Sequence, residues 1–227
     1  MSKPRQQSSG LSSAPKSQAS KTKTAKNSAD HLPKEQQALA LINQGKLHEA
    51  EMIYRDLIGA GSNNHIVHGN LGALLKMKGD LQNAIASFNK ALELKTKYPD
   101  AHNNLGVALQ EQGDLKAAIV SFNKALQFNP NDPEAHYNLG NALKEQGDLA
   151  AAIASYKTAL QLKPNFPAAH NNLGIALKEQ GDLTAAITSY KTALQLKPNY
   201  PDAHNNLGNA LQEQGDLKAA IVSFNKA

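Results

Sequence analysis

Residues 133–166 read PEAHYNLGNALKEQGDLAAAIASYKTALQLKPNF, and the chain repeats this stretch along its length. Residues 167–200 repeat the same 34 residues with six differences. Residues 201–227 match residues 99–125 except that Asn209 stands where the earlier copy has Val107. A period of this length predicts an array of stacked supersecondary units.

Each unit contains two amphipathic segments with apolar residues at helical spacing. Gly147 predicts the end of the first helix, because glycine enters the left-handed turn at low cost. Asp148 is a typical N-cap of the second helix, and Pro164 predicts where that helix stops. One such hairpin cannot bury its own apolar faces, so successive hairpins are expected to stack.

The recurring pattern resembles the signature of the tetratricopeptide repeat family. In the unit 133–166 the resemblance is carried by Leu139, Gly140, Leu143, Ala152, Tyr156, Ala159 and Pro164. It implies an all-α right-handed solenoid of tandem 34-residue helix–turn–helix repeats, with five full hairpins and one partial hairpin. The fourth place of the unit, often tryptophan in the family, holds His68, His102, His136, His170 and His204.

The sequence predicts three segments. Residues 1–30 form a basic Ser/Lys-rich tail, which is expected to be disordered because it has too few apolar residues to build a core. Residues 31–64 are a degenerate N-terminal capping repeat. Residues 65–227 are the array, with the units 65–98, 99–132, 133–166, 167–200 and a partial unit 201–227.

The distribution of charge along the chain indicates which classes of partner it favours. The formal net charge is +5, and the first thirty residues hold six basic residues against Asp30 alone, so the surplus belongs to the tail. The tail lacks aromatic residues for base stacking, so nucleic acid is an unfavoured partner. The chain has no cysteine and no long apolar run, which favours a cytoplasmic location without membrane insertion.

The repetition argues against catalysis and against a cofactor. An active site needs different groups that converge on one atom, whereas near-identical units present one group at intervals. The five recurring histidines are expected to pack between helices, because equivalent helices lie on the order of 10 Å apart and a shared metal needs bonds of about 2 Å. We therefore expect no catalytic, metal or cofactor residues.

A row of asparagines is the candidate binding site. Counted from the first residue of each unit, the sixth place is always asparagine and the ninth place alternates between apolar residues and asparagine. A primary amide both donates and accepts, so it can hold a peptide bond without reading the side chain. The row resembles the asparagine ladder in the repeat arm of protein O-linked N-acetylglucosamine transferases. The candidate residues are Asn70, Asn104, Asn138, Asn172, Asn206, Asn141 and Asn209.

These observations indicate a non-catalytic protein-interaction scaffold that binds an extended peptide or a partner helix in a concave groove. A different class of function stays open, in which the chain is the substrate-docking arm of a larger enzyme such as a glycosyltransferase. A third hypothesis is a weak contact of the tail with nucleic acid.

The sequence also raises the possibility of end-to-end self-association. The last unit ends without a polar capping helix, which repeat arrays usually need. We expect its residues Leu217, Ala220, Ile221 and Phe224 to pack inward, and the side that would meet a seventh unit to stay open. We therefore expect that Ala227 is not a natural domain end: either the chain is a fragment of a longer array, or this edge pairs with another copy.

Overall fold

The structure, a computed structural model, describes residues 32–227, so the predicted disordered tail lies outside the described residues. The described part of the chain contains α-helices joined by short turns and no strand, which confirms the all-α prediction. The helices are α1 (32–43), α2 (Leu47–Gly59), α3 (His65–Met77), α4 (Leu81–Leu94), α5 (Pro99–Gln112), α6 (Leu115–Phe128), α7 (Pro133–Gln146), α8 (Leu149–Leu162), α9 (Pro167–Gln180), α10 (Leu183–Leu196), α11 (Pro201–Gln214) and α12 (Leu217–Phe224).

The chain divides into two compact units between Asn64 and His65. In the first unit, Ala38 of α1 and Tyr54 of α2 are fully buried. The side-chain amide of Asn64 donates to Glu35 at 2.9 Å and ties the end of this unit to its first helix. That residues 31–64 serve as a cap remains a prediction.

The second unit, residues 65–227, is a stack of helical hairpins. Each odd-numbered helix from α3 to α11 packs against the helix that follows it in sequence, and each second helix packs against the first helix of the next hairpin. The predicted stacking is therefore confirmed. None of the helices in residues 32–227 has the length and apolar character to cross a membrane.

The turn inside each hairpin follows the local sequence. Gly147 ends α7 with a φ of 93°, in the left-handed region that favours glycine. The Asp148 carboxylate then accepts a hydrogen bond from the backbone N–H of Ala151 at 3.0 Å and caps α8. Both predictions for this turn are confirmed.

The two helices of a hairpin approach most closely at the eighth residue of the 34-residue unit. A Cβ atom added to Gly106 would lie 2.6 Å from the ring of Phe122, whose side chain is fully buried. The same glycine–ring contact recurs in the other hairpins of this unit, where the corresponding distances lie between 2.5 and 2.8 Å. The pairs are Gly72 with Phe88, Gly106 with Phe122, Gly140 with Tyr156, Gly174 with Tyr190 and Gly208 with Phe224.

Four of the five recurring histidines tie their hairpin to the end of the preceding one. The Nε2–H of His102 donates to the backbone carbonyl of Thr96 at 2.9 Å, and the His102 ring packs 5.6 Å from that of Phe128. His136, His170 and His204 make the same bond to carbonyls six residues earlier, at 2.9–3.0 Å. His68, His102 and His204 are buried, as expected of histidines that pack between helices, whereas His136 and His170 are partly exposed.

Replacing Gly106 by alanine should destabilise the protein. Overpacking a buried site costs about 1–3 kcal/mol, which outweighs the gain of up to about 1 kcal/mol that alanine brings to a helix. We expect a net loss of about 1–2 kcal/mol in urea unfolding followed by circular dichroism.

Gly59→Ala is the matched control, because an added Cβ at Gly59 in α2 meets no atom within 4 Å. This variant should be neutral or slightly more stable than the parent protein. Equal effects of the two substitutions would contradict the close-contact explanation.

His102 should make stability depend on pH. Burial, opposed by the hydrogen bond to Thr96 and assisted by the charge of Lys124, lowers the pKa of His102 from its usual 6.5. Its Nδ1 atom is buried without a partner, so protonation there would bury an unpaired N–H. The stabilisation that neutral His102 provides is therefore complete above about pH 6.5. It is lost as the pH falls from 6.5 through the lower pKa that His102 has in the folded state.

Urea unfolding at pH 7.5 and pH 5.5 would check this expectation. His102→Gln removes the titrating group, so the stability difference between parent and variant should shrink at the lower pH. His136→Gln is the control, because His136 makes the same backbone bond from a partly exposed position. A difference that is unchanged between the two pH values would refute the assignment to His102.

Candidate functional site

The first helices of successive hairpins form one face of the second unit. Helices α3, α5, α7 and α9 each contact the next first helix, up to α11, whereas no comparable contact joins successive second helices in residues 65–227. Closer spacing on one side bends a stack toward that side. We call this inner surface the first-helix face.

Sixth-place asparagines cross this face and bond to the preceding hairpin. The Asn138 amide donates to Asn103 Oδ1 at 3.1 Å, and the Asn206 amide donates to Asn171 Oδ1 at 3.0 Å. In both pairs the acceptor holds the fifth place of the previous unit. Part of the amide capacity predicted for a ligand is therefore used between hairpins.

Asn172 makes the largest number of these bonds. Its amide donates to the Tyr137 hydroxyl at 3.1 Å and to Asn141 Oδ1 at 2.9 Å. Its own oxygen accepts a longer bond from Asn171 at 3.3 Å. The side chain is therefore engaged at both ends.

Asn104 makes no side-chain hydrogen bond, unlike Asn138, Asn172 and Asn206. The fifth place of the preceding unit is Gly69, which offers no acceptor side chain. The ring of Tyr98 lies where a larger residue would go, since a Cβ on Gly69 would come within 3.2 Å of it. The Asn104 amide is half-buried and has both its donor and its acceptor available. Asn70 is also half-buried and makes no side-chain hydrogen bond.

The two ninth-place asparagines have different surroundings. Asn141 Oδ1 accepts from the Tyr156 hydroxyl at 2.8 Å as well as from Asn172, which uses both of its lone pairs. Burial of Tyr156 raises its hydroxyl pKa well above the usual value, so the donor stays protonated. Asn209 is exposed and makes no such bond, because the residue equivalent to Tyr156 is Phe224.

Tyr137 is a residue of this face that the sequence reasoning missed. Its ring lies 4.8 Å from that of Phe166 and 6.1 Å from that of Tyr156. It is the only aromatic residue at a fifth place in residues 65–227, where the other units have glycine or asparagine. That departure from the repeat is the signal that could have identified it.

A recess opens between α5 and α7 and includes two of the predicted residues. Its volume is about 420 Å³. At its edge, the Gln110 amide donates to Glu145 Oε1 at 2.6 Å across the two helices. The recess is lined by Val107, Gln110, Glu111, Asn138, Asn141 and Glu145.

The chemistry that this face offers is hydrogen bonding and packing. Amide groups and carboxylates recur along the parallel helices of this face, and Tyr137 adds one aromatic ring. In the part of the chain that the structure describes, no three histidine, aspartate or glutamate side chains come close enough together to hold a metal ion.

Several solved structures share this architecture. The crystal structure of MamA is 27% identical over 69% of this chain and 91% of that chain, with a TM-score of 0.65. YrrB, described as a TPR protein with an unusual peptide-binding site, is 24% identical over 76% of this chain and 89% of its own, with a TM-score of 0.64. PilF of Pseudomonas aeruginosa is 18% identical over 87% and 90% of the two chains, with a TM-score of 0.77. The last two likenesses show the fold alone.

The search of curated proteins found no match. The model of the TPR repeat matches four overlapping segments, residues 72–113, 108–147, 140–181 and 176–215. These segments span more than half of the chain and contain three complete hairpins, α5–α6, α7–α8 and α9–α10, with their glycine–ring contacts and histidine bonds. On this evidence the chain belongs to the tetratricopeptide repeat family.

Proposed function

We propose that residues 65–227 form a non-catalytic protein-interaction scaffold that binds an extended peptide along the first-helix face. Asn104 is the observation that carries this proposal. It lies half-buried on the face with a donor and an acceptor that no protein group uses. A peptide bond presents the complementary pair, one N–H and one C=O.

Neighbouring residues support the same function. The Asn138 oxygen accepts no hydrogen bond within the protein, and it lines the recess one hairpin further along the face. Two amides in consecutive units suit a ligand that runs across the helices. The same face would dock the substrates of a larger enzyme, which is the alternative that the sequence leaves open.

Exposure along α12 corrects one expectation from the sequence. Leu217 is 61% exposed and Ile221 is 59% exposed, so the expectation that they pack inward is wrong. The equivalent Ile153 and Ile187 are each only 6% exposed, because the next first helix covers that strip.

Asn104→Ala should weaken peptide binding without affecting stability. Each lost hydrogen bond is worth about 0.5–1.5 kcal/mol, so affinity should fall about two- to tenfold. Peptides that the parent chain retains from a random library serve as the ligands, and their affinities are measured by fluorescence anisotropy. Unaltered affinity for every retained peptide would contradict the role of Asn104.

Asn172→Ala provides the contrasting variant. It removes two donated bonds and one accepted bond inside the protein, so it should lower stability by about 1–3 kcal/mol. Urea unfolding separates this structural effect from that of Asn104→Ala, which should stay within about 0.5 kcal/mol of the parent. Equal loss of stability in both variants would show that Asn104 is also structural.

A further inference from the structure

Gln110 distinguishes one gap between successive first helices from the other three. The twelfth place of each unit lies beside the next first helix, and three of the four gaps begin with a lysine there. These lysines are Lys76, Lys144 and Lys178, whereas the gap between α5 and α7 begins with Gln110. The substitution removes a positive charge from that gap only.

The gap between α9 and α11 shows what a cation does at this place. Lys178 Nζ lies 3.0 Å from Glu213 Oε2, an ion pair between residues of adjacent units. Gln110 has the equivalent relation to Glu145, but it donates a neutral amide at 2.6 Å. An amide leaves the negative charge of the carboxylate in place, so this gap lacks the neutralising ammonium that its equivalent contains.

The recess between α5 and α7 has the dimensions and the walls for one long basic side chain. Its volume of about 420 Å³ exceeds what a single peptide side chain needs and leaves space for water. Val107 supplies an apolar wall for a methylene stem. Glu111 and Glu145 supply carboxylates at the same recess, and none of its lining residues is basic.

The amides of the recess favour a donor as the ligand group. The Asn138 amide nitrogen is bonded to Asn103, which leaves its oxygen as the free group. The Asn141 oxygen already accepts two bonds. A free amide oxygen and two carboxylates all accept hydrogen bonds, and ammonium and guanidinium groups are donors without acceptors.

We propose that this recess binds the side chain of a lysine or arginine in the peptide, and that Gln110 determines this preference. The inference rests on the proposed function, since the same peptide must lie on the first-helix face. The stem of the ligand side chain packs against Val107, and its head group lies beside the carboxylates of Glu111 and Glu145, on oxygens that Gln110 does not use. The carboxylates are exposed to solvent, so the preference weakens as salt rises.

Gln110→Lys tests the inference by restoring the lysine found at this place in three neighbouring units. Gln212→Lys is the matched control, because it makes the same change at the same place of the last unit, outside the recess. The probes are synthetic peptides drawn from the retained library, each made with lysine, arginine, norleucine, citrulline or glutamate at one position in turn. Affinities are measured on the full chain at low and high salt.

The parent chain and Gln212→Lys should prefer lysine or arginine over norleucine and citrulline at one position by about three- to tenfold. High salt should reduce this ratio, and Gln110→Lys should abolish it while still binding the norleucine peptide. Peptides retained without any charge preference, or a preference that survives Gln110→Lys, would overturn the inference and leave the proposed function intact. Failure of the parent chain to retain any peptide would overturn both.

Discussion

The contact between a glycine and an aromatic ring sets the spacing of the two helices in every hairpin of residues 65–227. With the ring of Phe122 lying where a side chain at position 106 would be, no larger residue fits without moving a fully buried group. Because the helices are held this close, their apolar faces are shared with the neighbouring hairpins.

Contacts between hairpins add polar bonds to this apolar core. Histidine donors hold the backbone carbonyls near the end of each second helix, and amides join successive first helices. Most of these donors and acceptors are paired with each other within the protein, so they are not available to a ligand. Binding capacity arises where the repeat departs from its own pattern, at Gly69, which leaves Asn104 without a partner, and at Gln110, which leaves a gap without its cation.

The sequence predicted the helices and their turns well because these depend on neighbours in the chain. Gly147 and Asp148 act within a few residues, and their roles are visible in any single unit. The bonds of Asn141 were not predictable in this way. Its two donors, Tyr156 and Asn172, come from two different units, and no local pattern connects them.

The alternation at the ninth place illustrates the same limit. Read along the sequence, Val107 and Asn141 differ only as an apolar and a polar residue on one helix face. In the fold, Asn141 meets the hydroxyl of Tyr156, whereas the ring over Gly106 belongs to Phe122 and has no hydroxyl. That Asn141 and Asn209 also contact a ligand stays a prediction.

The hydrogen bond between the fifth place of one unit and the sixth place of the next affects how such an array can change in evolution. Asn103, Tyr137 and Asn171 each offer an oxygen to the amide of the following hairpin. If the unit 133–166 were deleted, Asn172 would meet Asn103, and the new junction would again pair a donor with an acceptor. Duplication of that unit would create an equally matched junction. The gene can therefore gain or lose whole units by unequal recombination while the scaffold stays intact, and each event alters how far Asn104 lies from the end of the array.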